Sequence, residues 1–196
     1  MMKGEFRYFL PDFFYSVHLE NHLEVKEELM NIQLDMYKPW SLCSTSTSHG
    51  KDNTDLIDSS FTKCLWDVYD SMLQSPFVGD SYSFISPTTS SVKMWMNVYE
   101  KGDFQEVHNH IGRSGEEHTF SFAYLLHDES ETGLCFRSSN PNQLSYSMSD
   151  TIHTRGLGIS EGNLIIFPSY FDHYVLPSTG KRITVSGNIV STSGYK

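Results

Sequence analysis

Cysteine is scarce in this 196-residue chain: Cys43, Cys64 and Cys135 are odd in number, far apart and without Cys-x-x-Cys spacing. That excludes a disulfide framework and a thiolate zinc site, and fits a reducing interior. Long apolar runs are missing as well. Nowhere do about 18 apolar residues follow one another, so no membrane span is expected. The N-terminal stretch carries Glu5, Pro11 and Asp12 where a signal peptide needs an apolar core, and the expected location is cytoplasmic. Basic residues are outnumbered, 14 Lys and Arg against 24 Asp and Glu for a net charge of −10, which disfavours nucleic acid and anionic lipid as partners. Internal repeats are absent, which sets solenoids and propellers aside. The glycines of Arg155-Gly156-Leu157-Gly158 lack the strand-to-helix setting of a phosphate cradle, and Ser169 lies in no nucleophile elbow.

What is present is aromatic and patterned. Hydrophobic residues make up 38% and aromatics 14%, enough for one folded domain over residues 1–196, with a helical support over 1–90 and a β-barrel core over 91–196. Two segments read as helices: Ser16 to Leu34, and Ser59 to Leu73 with Phe61, Leu65, Val68, Tyr69 and Met72 at three- and four-residue spacing. The Ser, Thr, Asn, Asp and Gly tract between them, Ser41 to Asp58, reads as a loop. From residue 92 onward, short runs rich in Val, Ile, Phe, Tyr and Trp alternate with turn residues, the pattern of a sandwich, jelly roll or barrel. Period two along Arg182 to Ile189 puts Ile183, Val185 and Ile189 on one face and Arg182, Thr184, Ser186 and Asn188 on the other. Likewise Trp95, Asn97 and Tyr99 oppose Met94, Met96 and Val98.

Of nine histidines, three have a setting that suits metal. His108 and His110 flank Asn109 on an extended stretch and project to one side, within chelating reach of a single ion; neutral imidazole suits Fe, Zn, Cu and Ni. His173 closes an apolar strand, and Arg182 follows nine residues later at the start of the polar-faced strand. A hairpin of that length sets a metal ligand and a guanidinium toward one cavity, the arrangement a small dicarboxylate needs to chelate at one end and fork onto Arg at the other. His18 and His22, four apart, read as a solvated helical face, and His118, His127 and His153 as exposed.

In order, spacing and setting, the C-terminal half resembles the Fe(II)- and 2-oxoglutarate-dependent oxygenases, within them a small bacterial and phage group related to prolyl hydroxylases. The resemblance runs from Trp95-Met96-Asn97-Val98 through His108-Asn109-His110 and Ala123-Tyr124-Leu125 to Phe167-Pro168-Ser169, His173 and Arg182-Ile183-Thr184-Val185-Ser186-Gly187-Asn188-Ile189. It implies a mainly β double-stranded β-helix, a jelly-roll, cupin-like barrel on N-terminal helices. It also implies Fe(II), 2-oxoglutarate and O2 as cofactor and cosubstrates, and hydroxylation of a small-molecule or peptide substrate. By the same resemblance His108 and His173 bind iron, Arg182 pairs with the distal carboxylate of 2-oxoglutarate, Thr184 adds a hydroxyl, and Tyr124 and Asn97 are further cosubstrate contacts. The departure is His110, which stands where the superfamily usually carries Asp or Glu. A three-His centre is the leading expectation, with Glu106 as an alternative ligand and Asp172 a poorer one. The competing readings are a cupin-like three-His metalloenzyme that does not use 2-oxoglutarate, and a barrel that binds without catalysis.

Overall fold

Alternation along the C-terminal strands decides which layer each side chain joins. The computed structural model describes residues 5–9, 12–39, 44–79, 90–111, 118–137 and 151–191. The strands are β1 (Glu5–Phe9), β2 (Asp12–His18), β3 (Ser46–Thr47), β4 (Ser90–Tyr99), β5 (Gln105–His108), β6 (His118–Asp128), β7 (Leu134–Arg137), β8 (Thr151–His153), β9 (Asn163–Pro168), β10 (His173–Val175) and β11 (Arg182–Ser191). Among the described residues, four helices precede β4: α1 (His22–Met30), α2 (Thr54–Ile57), α3 (Ser60–Leu73) and α4 (Pro76–Gly79).

Seven strands form one sheet in the order β1-β2-β9-β6-β11-β4-β3, and four form a second in the order β5-β10-β7-β8. On β6, Phe120, Phe122, Tyr124 and Leu126 point to the helices, where they meet Phe61, Leu65 and Tyr69 of α3 and Val25 and Leu29 of α1. The intervening Ala123 and Leu125 point the other way and meet Phe136 of β7 and Val175 of β10 in the four-stranded sheet. The large sheet is thus covered on both faces, which is why Phe122 to Leu126 of β6 and Leu164 to Phe167 of β9 read as apolar runs. This is the double-stranded β-helix, with helices packed on the outside of its larger sheet. Among the described residues no helix is long and apolar enough to cross a membrane.

One glycine shows how tightly these layers are set. Gly187 lies on the helix-facing side of β11 between Val185 and Ile189, and a Cβ there would stand 2.3 Å from the Lys93 carbonyl oxygen and 2.5 Å from the Phe122 ring. Only glycine lets β4, β6 and β11 approach so closely.

The N-terminal part departs from a purely helical support. Ser16 to His18 belong to β2, which pairs with β9, and the first helix begins at His22. Tyr15 and Val17 face the helix-side core while Phe14 faces the barrel interior. This period-two pattern extends the sheet and outweighs the weak helical periodicity of the Leu and Glu residues that follow. The tract expected as loop holds β3, paired with β4, and α2; Ser41 to Cys43 of it lie outside the described residues. The second helix starts at Ser60, one residue from its expected position.

Candidate metal and cosubstrate site

Two strands and the turn after β9 bring His108, His110 and His173 together. His173 opens β10 and pairs in register with His108 at the end of β5, while the main-chain N–H of His110 donates to the Ser169 carbonyl at 2.8 Å, tying the chain beyond β5 to the turn after β9. One nitrogen of each ring lies within 4.8 Å of the others, and among the described residues this is the one such group of His, Cys, Asp or Glu.

The hydrogen bonds fix which nitrogens can bind metal. His108 Nδ1 is 2.8 Å from the Glu106 carbonyl, His173 Nδ1 is 2.9 Å from the Phe171 carbonyl, and His110 Nδ1 is 2.5 Å from Asn188 Oδ1. All three partners are oxygens that only accept, so each Nδ1 carries the proton and each Nε2 keeps a lone pair. Burial holds the His108 pKa below its ordinary value, and burial together with the charges of His108 and His110 holds His173 well below it. Three neutral imidazoles with oriented Nδ1 protons and lone pairs on Nε2 are the donor set a divalent first-row metal takes.

Behind the histidines a narrow cavity runs into the barrel, walled by Tyr99, Leu125, Leu134, Val175, Arg182 and Thr184. Arg182 is 1% exposed. Its Nε donates to Asp128 Oδ1 at 3.1 Å and one terminal nitrogen to the Thr132 carbonyl. The other terminal nitrogen, Nη1, is buried without a partner in the structure. Leaving a buried donor unpaired is costly, so this cationic N–H fits an acceptor supplied from outside the chain, a carboxylate above all. On the opposite side of the histidines a cleft of about 280 Å³ opens outward between Tyr37, Pro39, His49, Trp95 and Ile111.

Of the expected cosubstrate contacts, Arg182, Thr184 and Asn97 share the inner cavity with the three histidines. Asn97 Nδ2 donates to Ser186 Oγ at 3.1 Å and approaches Thr184 Oγ1 at 3.4 Å. Tyr124 is a correction: it lies on the other side of the sheet, stacked on Phe61, with its hydroxyl 2.7 Å from His22 Nδ1. The reason is register. Tyr124 pairs with Val185, a helix-facing position, whereas its neighbours Ala123 and Leu125 pair with Ser186 and Thr184, which face the cavity. His22, expected on a solvated face, is buried by the same contact.

Glu106 does not join the histidine group. The β5–β10 ladder slips between the pairs His173–His108 and Val175–Gln105, which breaks the alternation that would have put Glu106 beside His108 and brings Gln105 there instead. Gln105 Nε2 is 3.2 Å from His108 Nε2, and its Oε1 accepts from the Tyr99 hydroxyl at 2.8 Å. Asp172 points away and accepts from Asn109 Nδ2 at 2.8 Å. Gln105, Ser121 and Asn188 were not expected at the site. Asn188 carries a signal, since it shares the polar face of β11 with Arg182 and Thr184, whereas Ser121 has the opposite parity to the expected Tyr124 on β6.

Residues 93–188 match the sequence family described as "Putative 2OG-Fe(II) oxygenase". No curated protein matches the chain by sequence. Among solved structures, a prolyl-4-hydroxylase from Pseudomonas putida is similar with a TM-score of 0.62 at 12% identity, over 91% of this chain and 92% of that one. A prolyl hydroxylase from Trichoplax adhaerens, solved with a hypoxia inducible factor peptide fragment, is similar at 0.57 and 14% identity, over 90% and 83%. HygX from Streptomyces hygroscopicus, solved with nickel, 2-oxoglutarate and hygromycin B, is similar at 0.54 and 10% identity, over 91% and 83%. At such identities the structures speak to fold, and the family match speaks to the chemistry. With that match lying on the strands that carry the histidines and Arg182, residues 93–188 belong to the 2-oxoglutarate- and Fe(II)-dependent oxygenases, enzymes that use Fe(II), 2-oxoglutarate and O2.

Proposed function

We propose that this oxygenase hydroxylates a C–H bond of a small-molecule or peptide substrate, with Fe(II) held by His108, His110 and His173 and 2-oxoglutarate anchored by Arg182. The observation that carries the reading is the unpartnered Nη1 of Arg182, buried in the cavity whose other end is the three imidazoles. A metal site alone gives no reason for a guanidinium there. A dicarboxylate that reaches from the metal to Arg182 does.

Bound Fe(II) and 2-oxoglutarate, with O2, supply the oxidising power for hydroxylation, and 2-oxoglutarate leaves as succinate and CO2. The chain's own share is placement. The Glu106, Phe171 and Asn188 oxygens hold the three rings with Nε2 inward. Arg182 meets the distal carboxylate with Nη1, and Thr184, two residues on along the same face, adds a hydroxyl. Asp128 keeps the guanidinium from swinging out of the cavity. Leu125, Leu134 and Val175 wall the cosubstrate in apolar surface, which excludes water and strengthens the charged contact. Asn97, between the inner cavity and the outer cleft, is placed to orient the cosubstrate from the other side. The substrate then enters by the cleft between Tyr37, His49 and Trp95, where burial keeps His49 below its ordinary pKa and so neutral near pH 7. We place this activity in a single domain in the cytoplasm, in keeping with the sparse, widely spaced cysteines.

The test is whether Fe(II)-loaded protein in air with ascorbate converts 2-oxoglutarate to succinate, even slowly and without added substrate. Binding of Fe(II) with no affinity for 2-oxoglutarate would instead support a cupin-like metalloenzyme. For the ligand set, His110→Ala should weaken metal binding far more than Glu106→Gln, and the reverse ranking would sink the three-His assignment.

A further inference from the structure

His110 is held more elaborately than either of its companions. Its main-chain N–H donates to the Ser169 carbonyl, its Nδ1 lies 2.5 Å from Asn188 Oδ1 and 3.0 Å from Ser121 Oγ, and the Trp95 ring stands 5.7 Å away on the cleft side. The Ser121 hydroxyl donates to Asn188 Oδ1 at 2.9 Å, and Ser121 Oγ is 2.9 Å from Ser169 Oγ. Ser121 spends its one proton on Asn188, so Ser169 donates to Ser121 and both Asn188 and Ser121 present lone pairs to His110. Asn188 and Ser121 are directly opposed on β11 and β6, in the middle of the large sheet, and both are buried. The chain Ser169 to Ser121 to Asn188 to His110 therefore has one consistent proton arrangement, and it ends with the Asn188 oxygen turned to the imidazole.

We propose that Asn188, with Ser121, is the positioning residue that lets histidine serve where the superfamily usually has a carboxylate. It locks His110 in the Nδ1–H form and, by accepting that proton's hydrogen bond, raises the electron density on Nε2. An amide turned the other way would donate to Nδ1, force the proton onto Nε2 and close the third ligand position. A short bond to a good acceptor makes the imidazole a stronger donor and offsets part of the negative charge that an Asp or Glu ligand would bring. The inference rests on His110 being a ligand, and it goes further in saying what makes it one.

The experiment uses metal-free protein for nitrogen-15 NMR of the histidine rings and Co(II) alone as the binding probe. In the wild-type chain and in Asn188→Asp, which keeps an acceptor, His110 should be the Nδ1–H tautomer, and Asn188→Asp should bind Co(II) at least as tightly and shift its visible d–d bands. In Asn188→Leu/Ser121→Ala, which removes both acceptors, His110 should become a tautomer mixture and Co(II) affinity should fall by roughly 10- to 100-fold. The proposal is overturned if the double variant keeps the Nδ1–H tautomer and wild-type affinity, or if Asn188→Asp and the double variant weaken binding alike. Should the double variant not fold, Asn188→Asp decides alone, since weaker Co(II) binding there contradicts the proposed role. His110→Ala separates the two levels: unchanged Co(II) affinity in it removes the three-His reading, whereas loss there with indifferent Asn188 variants removes only this inference.

Discussion

Replacing Arg182 with Leu isolates the cosubstrate end of the site from the metal end. The guanidinium is held within the chain by Asp128 and Thr132, and in the proposed role its Nη1 meets a carboxylate of 2-oxoglutarate. Truncating one partner of a buried, hydrogen-bonded charge pair costs about 2–5 kcal/mol of binding. At about 1.4 kcal/mol per factor of ten, 2-oxoglutarate affinity should drop roughly 30- to 4,000-fold. Folding suffers less than that pairing suggests. Asp128, whose side chain is 1% exposed, keeps Arg155 at 2.9 Å on its other oxygen, so it is not stranded, and the stability loss should stay below the roughly 3–5 kcal/mol of a lone buried charge. Arg182→Lys should fall between, since it keeps the charge and loses the fork. Calorimetry of 2-oxoglutarate binding to Co(II)-loaded protein without O2 reads the first effect, and Co(II) titration should read no change in either variant. A folded Arg182→Leu protein that binds 2-oxoglutarate within threefold of the wild type would refute the reasoning.

The metal-free protein should lose stability in mild acid. His108 and His173 have folded-state pKa values below the ordinary 6.5, so the unfolded chain takes up protons first as pH falls through 6.5, and each group then costs about 1.4 kcal/mol per pH unit until its folded pKa is reached. Glu161, held down to about 2 by Lys26, the Asp128 N–H and His22 against the effect of burial, acts only below its ordinary 4.5, so the window from 6.5 to 5 belongs to the histidines. Urea unfolding at pH 7.5, 6.5 and 5.5 checks this, and a flat profile contradicts it. Tyr124→Phe should leave Co(II) and 2-oxoglutarate affinities within twofold and cost about 1 kcal/mol of stability through the lost 2.7 Å contact to His22. A tenfold loss of 2-oxoglutarate binding in that variant would return Tyr124 to the cavity.

Period two made the central strands legible. Once Ile183, Val185 and Ile189 are assigned to a core, Arg182, Thr184, Ser186 and Asn188 must share the other face, and the same holds for Trp95, Asn97 and Tyr99. The resemblance points to Tyr124 by residue type, whereas the alternation of β6 against β11 puts it on the helix-facing side. The pairing of Tyr124 with Val185 settles its side. The strand β2 was hidden for a different reason: its pattern of Phe13, Tyr15 and Val17 against Phe14 spans only a few residues and runs into a helix, and what commits it to a sheet is β9, some 150 residues later in the chain.

The site itself was legible in its ligands and illegible in what aims them. Histidine spacing can announce a metal centre because a strand carries parity. It cannot foresee the slip in β5 that removes Glu106 and installs Gln105, since a bulge depends on how β10 pairs. Nor can it choose between the two nitrogens of an imidazole, a choice made here by three oxygens that lie 2, 2 and 78 residues from their histidines. Two of those are local carbonyls that any similar turn would offer. The third is a side chain reached only through the sheet, at the proposed ligand position whose residue type departs from the superfamily's usual pattern. A substitution that removes a charged ligand is tolerable where the fold already presents an acceptor behind the new one, and at His110 that acceptor is Asn188.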